Sequence, residues 1–188
     1  MNYEALPEGL PVPVDDGAAD HLAGKPVPST ALPGTHGLQV NLSEASGTTI
    51  VFVYPKTARP ETPPLLGWED IPGARGCTPE ACGFRDLHDQ LTRAGVSGVY
   101  GLSSQSTPYQ REAVERLHLP YALLSDAEFA WADDLQLPTF MAAGRRFHQR
   151  LTLLVRDGTV EHVFYPVFPP DKHAGEVVAW LRSTRGSD

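Results

Sequence analysis

The chain has 188 residues, enough for one domain with a proper core, and its 41% apolar and 20% charged residues are the balance of a soluble globular protein. A net charge of −8 with no basic run excludes the electrostatic footprint of a nucleic-acid binder and the polybasic segment of an anionic-membrane binder. No apolar stretch reaches the ~20 residues of a membrane span. The first twenty residues carry Glu4 early, no basic region and no apolar run, so they do not read as a secretory signal and the expected location is the cytoplasm.

Residues 1–35 hold Pro7, Pro11, Pro13, Pro26, Pro28 and Pro33 and are expected to form an arm laid on the domain, with a short helix at Ala18–Leu22. The domain proper is expected over 36–188. Thr48–Tyr54 is a continuous β-branched and aromatic run, the pattern of a strand buried on both faces, and Pro55 ends it. Residues 57–76 are rich in Pro and Gly and read as a long loop of functional length.

A helix is predicted from Thr78 as N-cap, with Pro79 at its first position, to the Arg93–Gly95 stop. Val96–Leu102 reads as a strand, Pro108–Leu117 as an exposed helix, Tyr121–Leu124 as a short strand and Ala127–Leu135 as a short helix. Asp157-Gly158 between Leu151–Arg156 and Val160–Tyr165 signals a hairpin, and Val177–Leu181 lies in a closing helix. Alternating strands and helices ending in a hairpin and a helix predict an α/β domain, a thioredoxin-like fold with a central mixed β-sheet flanked by helices.

The chemistry centres on the two cysteines, Cys77 and Cys82. Two cysteines are not a disulfide framework for a chain of this size, and such a close pair more often does chemistry or binds metal. The C-x4-C spacing lacks metal-ligand geometry, and the seven histidines, at 21, 36, 88, 118, 148, 162 and 173, are scattered, so no metal and no cofactor is expected. Cys77 stands where a Gly-rich loop meets a helix, and unpaired N–H groups and the helix dipole there favour a thiolate. Glu80 opposes this, so a cation is required, with Arg75, Arg85 and Arg150 as candidates.

On an intact helix the Cα atoms of Cys77 and Cys82 stand roughly 8.6 Å apart. A disulfide needs less than about 7 Å, so bonding the pair requires the first turn to unwind.

The run from Gly76 to Asp86, GCTPEACGFRD, resembles the GCTxExCxFRD signature of the peroxiredoxin Q (bacterioferritin comigratory protein) group of peroxiredoxins. Tyr54-Pro55-Lys56, Gly101-Leu102-Ser103, Leu123–Asp126, Arg150–Val155 and Val160–Phe164 are similar to further motifs of that group, in the same order. The resemblance implies a thiol peroxidase. Cys77 would attack the hydroperoxide and Cys82 would resolve the sulfenic acid as an intramolecular disulfide, reduced in turn by a thioredoxin-like dithiol. Arg150 would supply the cation near Cys77, Glu80 would orient it, and a monomer is implied.

One departure is plain. The family's P-x-x-x-[ST]-x-x-C places a hydroxyl three residues before the cysteine, where this chain has Ala74, followed by Arg75. Thr57 is the expected replacement, with an insertion at about 60–75, bearing Leu65, Leu66, Trp68 and Ile71, covering the cysteine pocket. Alternative readings are a one-Cys peroxidase resolved by an external thiol and a peroxide-sensing relay protein. Pro138, which resembles the cis-proline of thioredoxins, is read as an ordinary loop proline.

Overall fold

The computed structural model describes residues 6–185, so the first five residues of the expected arm, Glu4 among them, and the last three lie outside the described residues. Two short strands, β1 (Leu32–Pro33) and β2 (Gln39–Val40), pair antiparallel ahead of β3 (Thr48–Val53). There follow α1 (Cys77–Asp86), α2 (His88–Arg93), β4 (Val96–Ser103), α3 (Thr107–Leu117), β5 (Leu123–Ser125) and α4 (Ala130–Leu135). The chain closes with β6 (Thr139–Ala142), β7 (Arg145–His148), β8 (Leu151–Arg156), β9 (Thr159–Phe164) and α5 (Pro170–Arg185).

The central sheet runs β5-β4-β3-β8-β9. β3 lies parallel to β4 and antiparallel to β8, so the sheet is mixed. Every residue of β3 is buried, because the strand sits mid-sheet with a layer on each face. Ile50, Phe52 and Tyr54 face one core with Phe84 of α1 and Val177 of α5. Val51 and Val53 face the other, with Trp131 of α4 and Leu22, Val27 and Leu32 of the arm. The arm therefore contributes core side chains, and Pro26 and Gly34 bridge to Thr159 and Leu124 at the two sheet edges.

Several local expectations shift. The chain at 18–22 forms turns rather than a helix, because the Asp15 and Asp16 carboxylates accept the Gly17 and Ala18 amides and offer the backbone a competing bond. The single predicted helix to Arg93 is broken at Leu87 into α1 and α2. α4 starts at Ala130, three residues late, where the Asp126 carboxylate accepts the Trp131 and Ala132 amides at 3.1 and 3.0 Å. The β6–β7 hairpin has no counterpart in the sequence reading. Its turn is Ala143-Gly144, both left-handed (φ 47° and 71°), a hairpin geometry that an alanine rarely signals.

Among the described residues no helix is long and apolar enough to cross a membrane.

Candidate active site

The active loop ends at Gly76, which has φ 101° and caps α1 through its carbonyl, accepting Glu80 N–H at 3.0 Å. A side chain here would be doubly excluded. The φ is left-handed, and a Cβ would lie 2.3 Å from Pro170 of α5 and 2.9 Å from Leu6. The cap is thus Gly76 rather than Thr78, and Cys77 is itself the first residue of the helix, with Pro79 in the first turn where its missing N–H costs no helical bond.

Arg150, at the entrance to β8, is buried and reaches this turn with its whole guanidinium fork. Nη2 donates to Cys77 Sγ at 3.1 Å and to the Arg75 carbonyl at 3.1 Å, and Nε donates to the Gly73 carbonyl at 3.1 Å. Nη1 donates to Glu80 Oε2 in a fully buried ion pair. The remaining contact of the sulfur is with the Ala74 carbonyl at 3.7 Å, which a thiol proton can reach. Burial pushes the Glu80 carboxyl up to about 7, against the pull of Arg150, and its Oε1 has no hydrogen-bond partner. The charges of Cys77 and Glu80 together hold Arg150 above its usual range against burial.

Of the three candidate cations, Arg150 hydrogen-bonds the sulfur. Arg75 turns its side chain to Glu69 at 3.4 Å, and Arg85 bonds Asp86 and the Leu117 carbonyl, each at 2.8 Å. The Pro138 carbonyl accepts Gln149 N–H at 2.8 Å, and its peptide bond is not among the cis bonds, which precede Pro166 and Pro169.

Cys82 lies on the same helix but in the apolar core, with Phe84, Leu91 and Tyr121 in its cluster. Both cysteines are free thiols, and α1 is continuous between them. An intact helix of this span keeps their Cα atoms roughly 8.6 Å apart, beyond disulfide reach.

Thr57 is buried near the start of the loop after β3. Its amide and hydroxyl both donate to Gln105 Oε1, at 2.9 and 3.1 Å, and Gln105 Nε2 returns a bond to the Thr57 carbonyl at 3.1 Å. The Thr57 hydroxyl therefore spends its proton on Gln105. Gln105 was not singled out in the sequence, since a glutamine two residues past a strand end carries no motif.

Lys56 was also passed over as a site residue. It lines a cleft of about 30 Å³ with Trp68, Ala74, Arg75, Gly76 and Thr78, the last two flanking Cys77. Its ammonium lies 5.3 Å from the Trp68 ring, and burial lowers its pKa while the Cys77 charge raises it. The cleft has room for a water-sized guest. Trp68 in turn packs on Phe147 and Phe140 of the β6–β7 hairpin, at 4.9 and 5.8 Å. The loop after Lys56 and the unforeseen hairpin thus build one wall together. Among the described residues no group of three His, Cys, Asp or Glu side chains is placed to hold a metal ion.

A model of the Redoxin family matches residues 22–178. The chain is 32% identical over 165 residues to "Peroxiredoxin Bcp" of Escherichia coli (strain K12), covering 85% of this chain and 95% of that one. It is 29% identical over 161 residues to "Peroxiredoxin Q, chloroplastic" of Oryza sativa subsp. japonica, covering 85% of this chain and 66% of the rice protein. Among solved structures, Peroxidoxin BcpB from Mycobacterium tuberculosis superposes with a TM-score of 0.69 at 28% identity, covering 87% of this chain and 98% of that chain. A PrxQ mutant of Xylella fastidiosa gives 0.71 at 18% identity, covering 88% and 98%, a likeness of fold.

Proposed function

The chain belongs to the Redoxin family, among its peroxiredoxins, and reduces hydroperoxides at the expense of a thiol; we propose that Cys77 is the attacking sulfur and Cys82 the resolving one. The observation that carries this assignment is the Arg150 guanidinium 3.1 Å from Cys77 Sγ, inside a buried frame that includes Glu80. A buried cation hydrogen-bonded to sulfur favours the thiolate, and the same donors stabilise charge developing on the departing oxygen. The thiolate attacks the distal peroxide oxygen and the O–O bond breaks. That oxygen keeps its hydrogen and stays on Cys77 as a sulfenic acid, while the hydroxide or alkoxide leaves and takes up the proton the thiol gave up on ionising, departing as water or an alcohol.

Cys82 then condenses with that sulfenic acid. The S–S bond forms, the S–O bond breaks, and the oxygen leaves as water. Because the helix between the two sulfurs must open first, the oxidised protein loses helix at α1. A thioredoxin-like dithiol reduces the disulfide. Glu80 orients Arg150, and Thr57, hydrogen-bonded to Gln105, stands where the end of β3 meets the loop whose 60–75 segment covers the cysteine pocket. The enzyme acts as a monomer, since Cys77, Cys82, Glu80 and Arg150 meet within one chain. The enzyme acts in the cytoplasm, and its acidic balance supports the absence of a nucleic-acid or anionic-membrane partner.

Two serine variants test the assignment. Cys77→Ser abolishes peroxide consumption. Cys82→Ser keeps the first oxidation, followed by stopped-flow Trp fluorescence, and loses turnover with thioredoxin. Sustained thioredoxin-driven turnover by Cys82→Ser would instead establish resolution by an external thiol, and stoichiometric peroxide consumption by the unsubstituted protein would establish a relay.

A further inference from the structure

Tyr121 stands between α3 and β5, and its phenol is buried against the middle of α1. Its hydroxyl donates a 2.6 Å hydrogen bond to the carbonyl of Ala81, the residue immediately before Cys82. The ring is held edge-on to Phe52 at 5.7 Å and lies beside His88 at 6.1 Å. A carbonyl oxygen has two lone pairs, and a helix uses one of them for its own N–H. The phenol therefore adds nothing the helix needs in order to form. It tethers the segment between the two cysteines to a part of the chain outside α1.

That segment is the one whose geometry must change. The intact helix keeps the sulfur-bearing Cα atoms roughly 8.6 Å apart, and a disulfide needs less than about 7 Å. Beyond Cys82 the helix is anchored by packing: Phe84 stacks on Phe52 at 4.6 Å, and Gly83 lies against Ala174 of α5. Displacing Ala81 and Cys82 withdraws the acceptor from Tyr121 and leaves a buried hydroxyl without a partner, which is costly.

We propose that Tyr121 is a positioning residue that latches the resolving half of α1 shut, so that its hydrogen bond to Ala81 slows the closing of the Cys77–Cys82 disulfide and sets how long the sulfenic acid persists. The inference rests on the two-cysteine reading above. Two reactions compete for the sulfenic acid. In one, the Cys82 thiol displaces its oxygen as water and the disulfide forms. In the other, the sulfenate sulfur attacks a second hydroperoxide, whose O–O bond breaks, giving a sulfinic acid and water or an alcohol. The latch sets the ratio between them.

Tyr121→Phe keeps the ring and removes the oxygen. The second-order rate of Cys77 oxidation stays within twofold of the unsubstituted protein, because the phenol binds α1 at Ala81 and not at the sulfur–arginine contact. The first-order rate of disulfide formation rises about tenfold. The hydrogen peroxide concentration giving half-maximal sulfinic acid, read by intact mass, rises by the same factor. Amide exchange quickens in α1 and not in β3. A disulfide rate unchanged within twofold, or lowered, overturns the proposal, as does a parallel loss of the oxidation rate, which marks general packing. A protein that forms no Cys77–Cys82 disulfide at all sinks the reading underneath, whereas one that forms it at a rate indifferent to Tyr121→Phe sinks the latch alone.

Discussion

Cys77 and Cys82 share one helix, yet their surroundings have little in common. The first turn of α1 is held by charge: Arg150 ties the buried sulfur and the buried Glu80 to two loop carbonyls. The second half is held by packing: Phe84 lies between Phe52 at 4.6 Å and His173 at 5.8 Å, and Gly83 meets Ala174. Two residues of one type, five positions apart, stand in different surroundings: the Arg150 guanidinium hydrogen-bonds Cys77, and Cys82 lies in the apolar core cluster. The division also suits the cycle. On the proposed cycle the charged end stays in place while peroxide is attacked, and the helix between the two cysteines opens afterwards.

Substitutions at the two ends should therefore separate rate from stability. Arg150→Met should lower the second-order rate of Cys77 oxidation about 10²- to 10³-fold, the scale of losing a preorganised donor at a developing charge. Stopped-flow oxidation under hydrogen peroxide reads it directly, and a rate within threefold of the unsubstituted protein breaks the comparison. Phe84→Leu should lower unfolding stability by about 2 kcal/mol in urea titration while leaving that rate within twofold. An oxidation rate that falls along with the stability would mean the two ends are one mechanical unit.

Much of this was legible in the sequence because the relevant signals are local. The β3 run, the Asp157-Gly158 hairpin and the Gly-Cys junction each depend on a few adjacent residues. The pairing of Arg150 with Cys77 is not local. Seventy-odd residues separate them, and composition alone left Arg75 and Arg85 equally eligible until the resemblance chose. Gln105 escaped for the same reason, since only the fold brings it to Thr57. The β6–β7 hairpin escaped for another. Its turn is Ala-Gly where the strong signals are Asn-Gly or Asp-Gly, and its strands are stabilised by Trp68 from the loop after Lys56, a contact across the fold. The start of α1 was misplaced by two residues because Thr78-Pro79 is a good cap pattern, and a left-handed glycine packed under Pro170 overrode it.

Two titrating groups stand at the two ends of α1, Glu80 in its first turn and His173 of α5 against Phe84, and their effects on stability oppose each other. Burial raises Glu80 from an ordinary 4.5 to about 7, so between those values the native state keeps a proton that the unfolded chain has lost. Stability from this group is full below pH 4.5 and is lost as pH climbs through 7. At the other end burial lowers His173 from 6.5 to about 4, with Thr152 Oγ1 at 2.8 Å and Glu176 at 3.2 Å from its ring nitrogens. The unfolded chain binds the proton first there, so stability is full above pH 6.5 and is lost as pH falls through 4. From about pH 4.5 to 6.5 the two slopes cancel, and the unsubstituted protein should show a flat urea midpoint over that window. Glu80→Gln removes one slope and exposes the other. Whatever its absolute stability, its midpoint should climb with pH from 4 to 6.5 and then level, by roughly 1 kcal/mol per pH unit at the steepest. Parallel curves for the two proteins from pH 4 to 7.5 would show that Glu80 stays ionised beside Arg150 throughout, and that the charged end of α1 is a permanent ion pair.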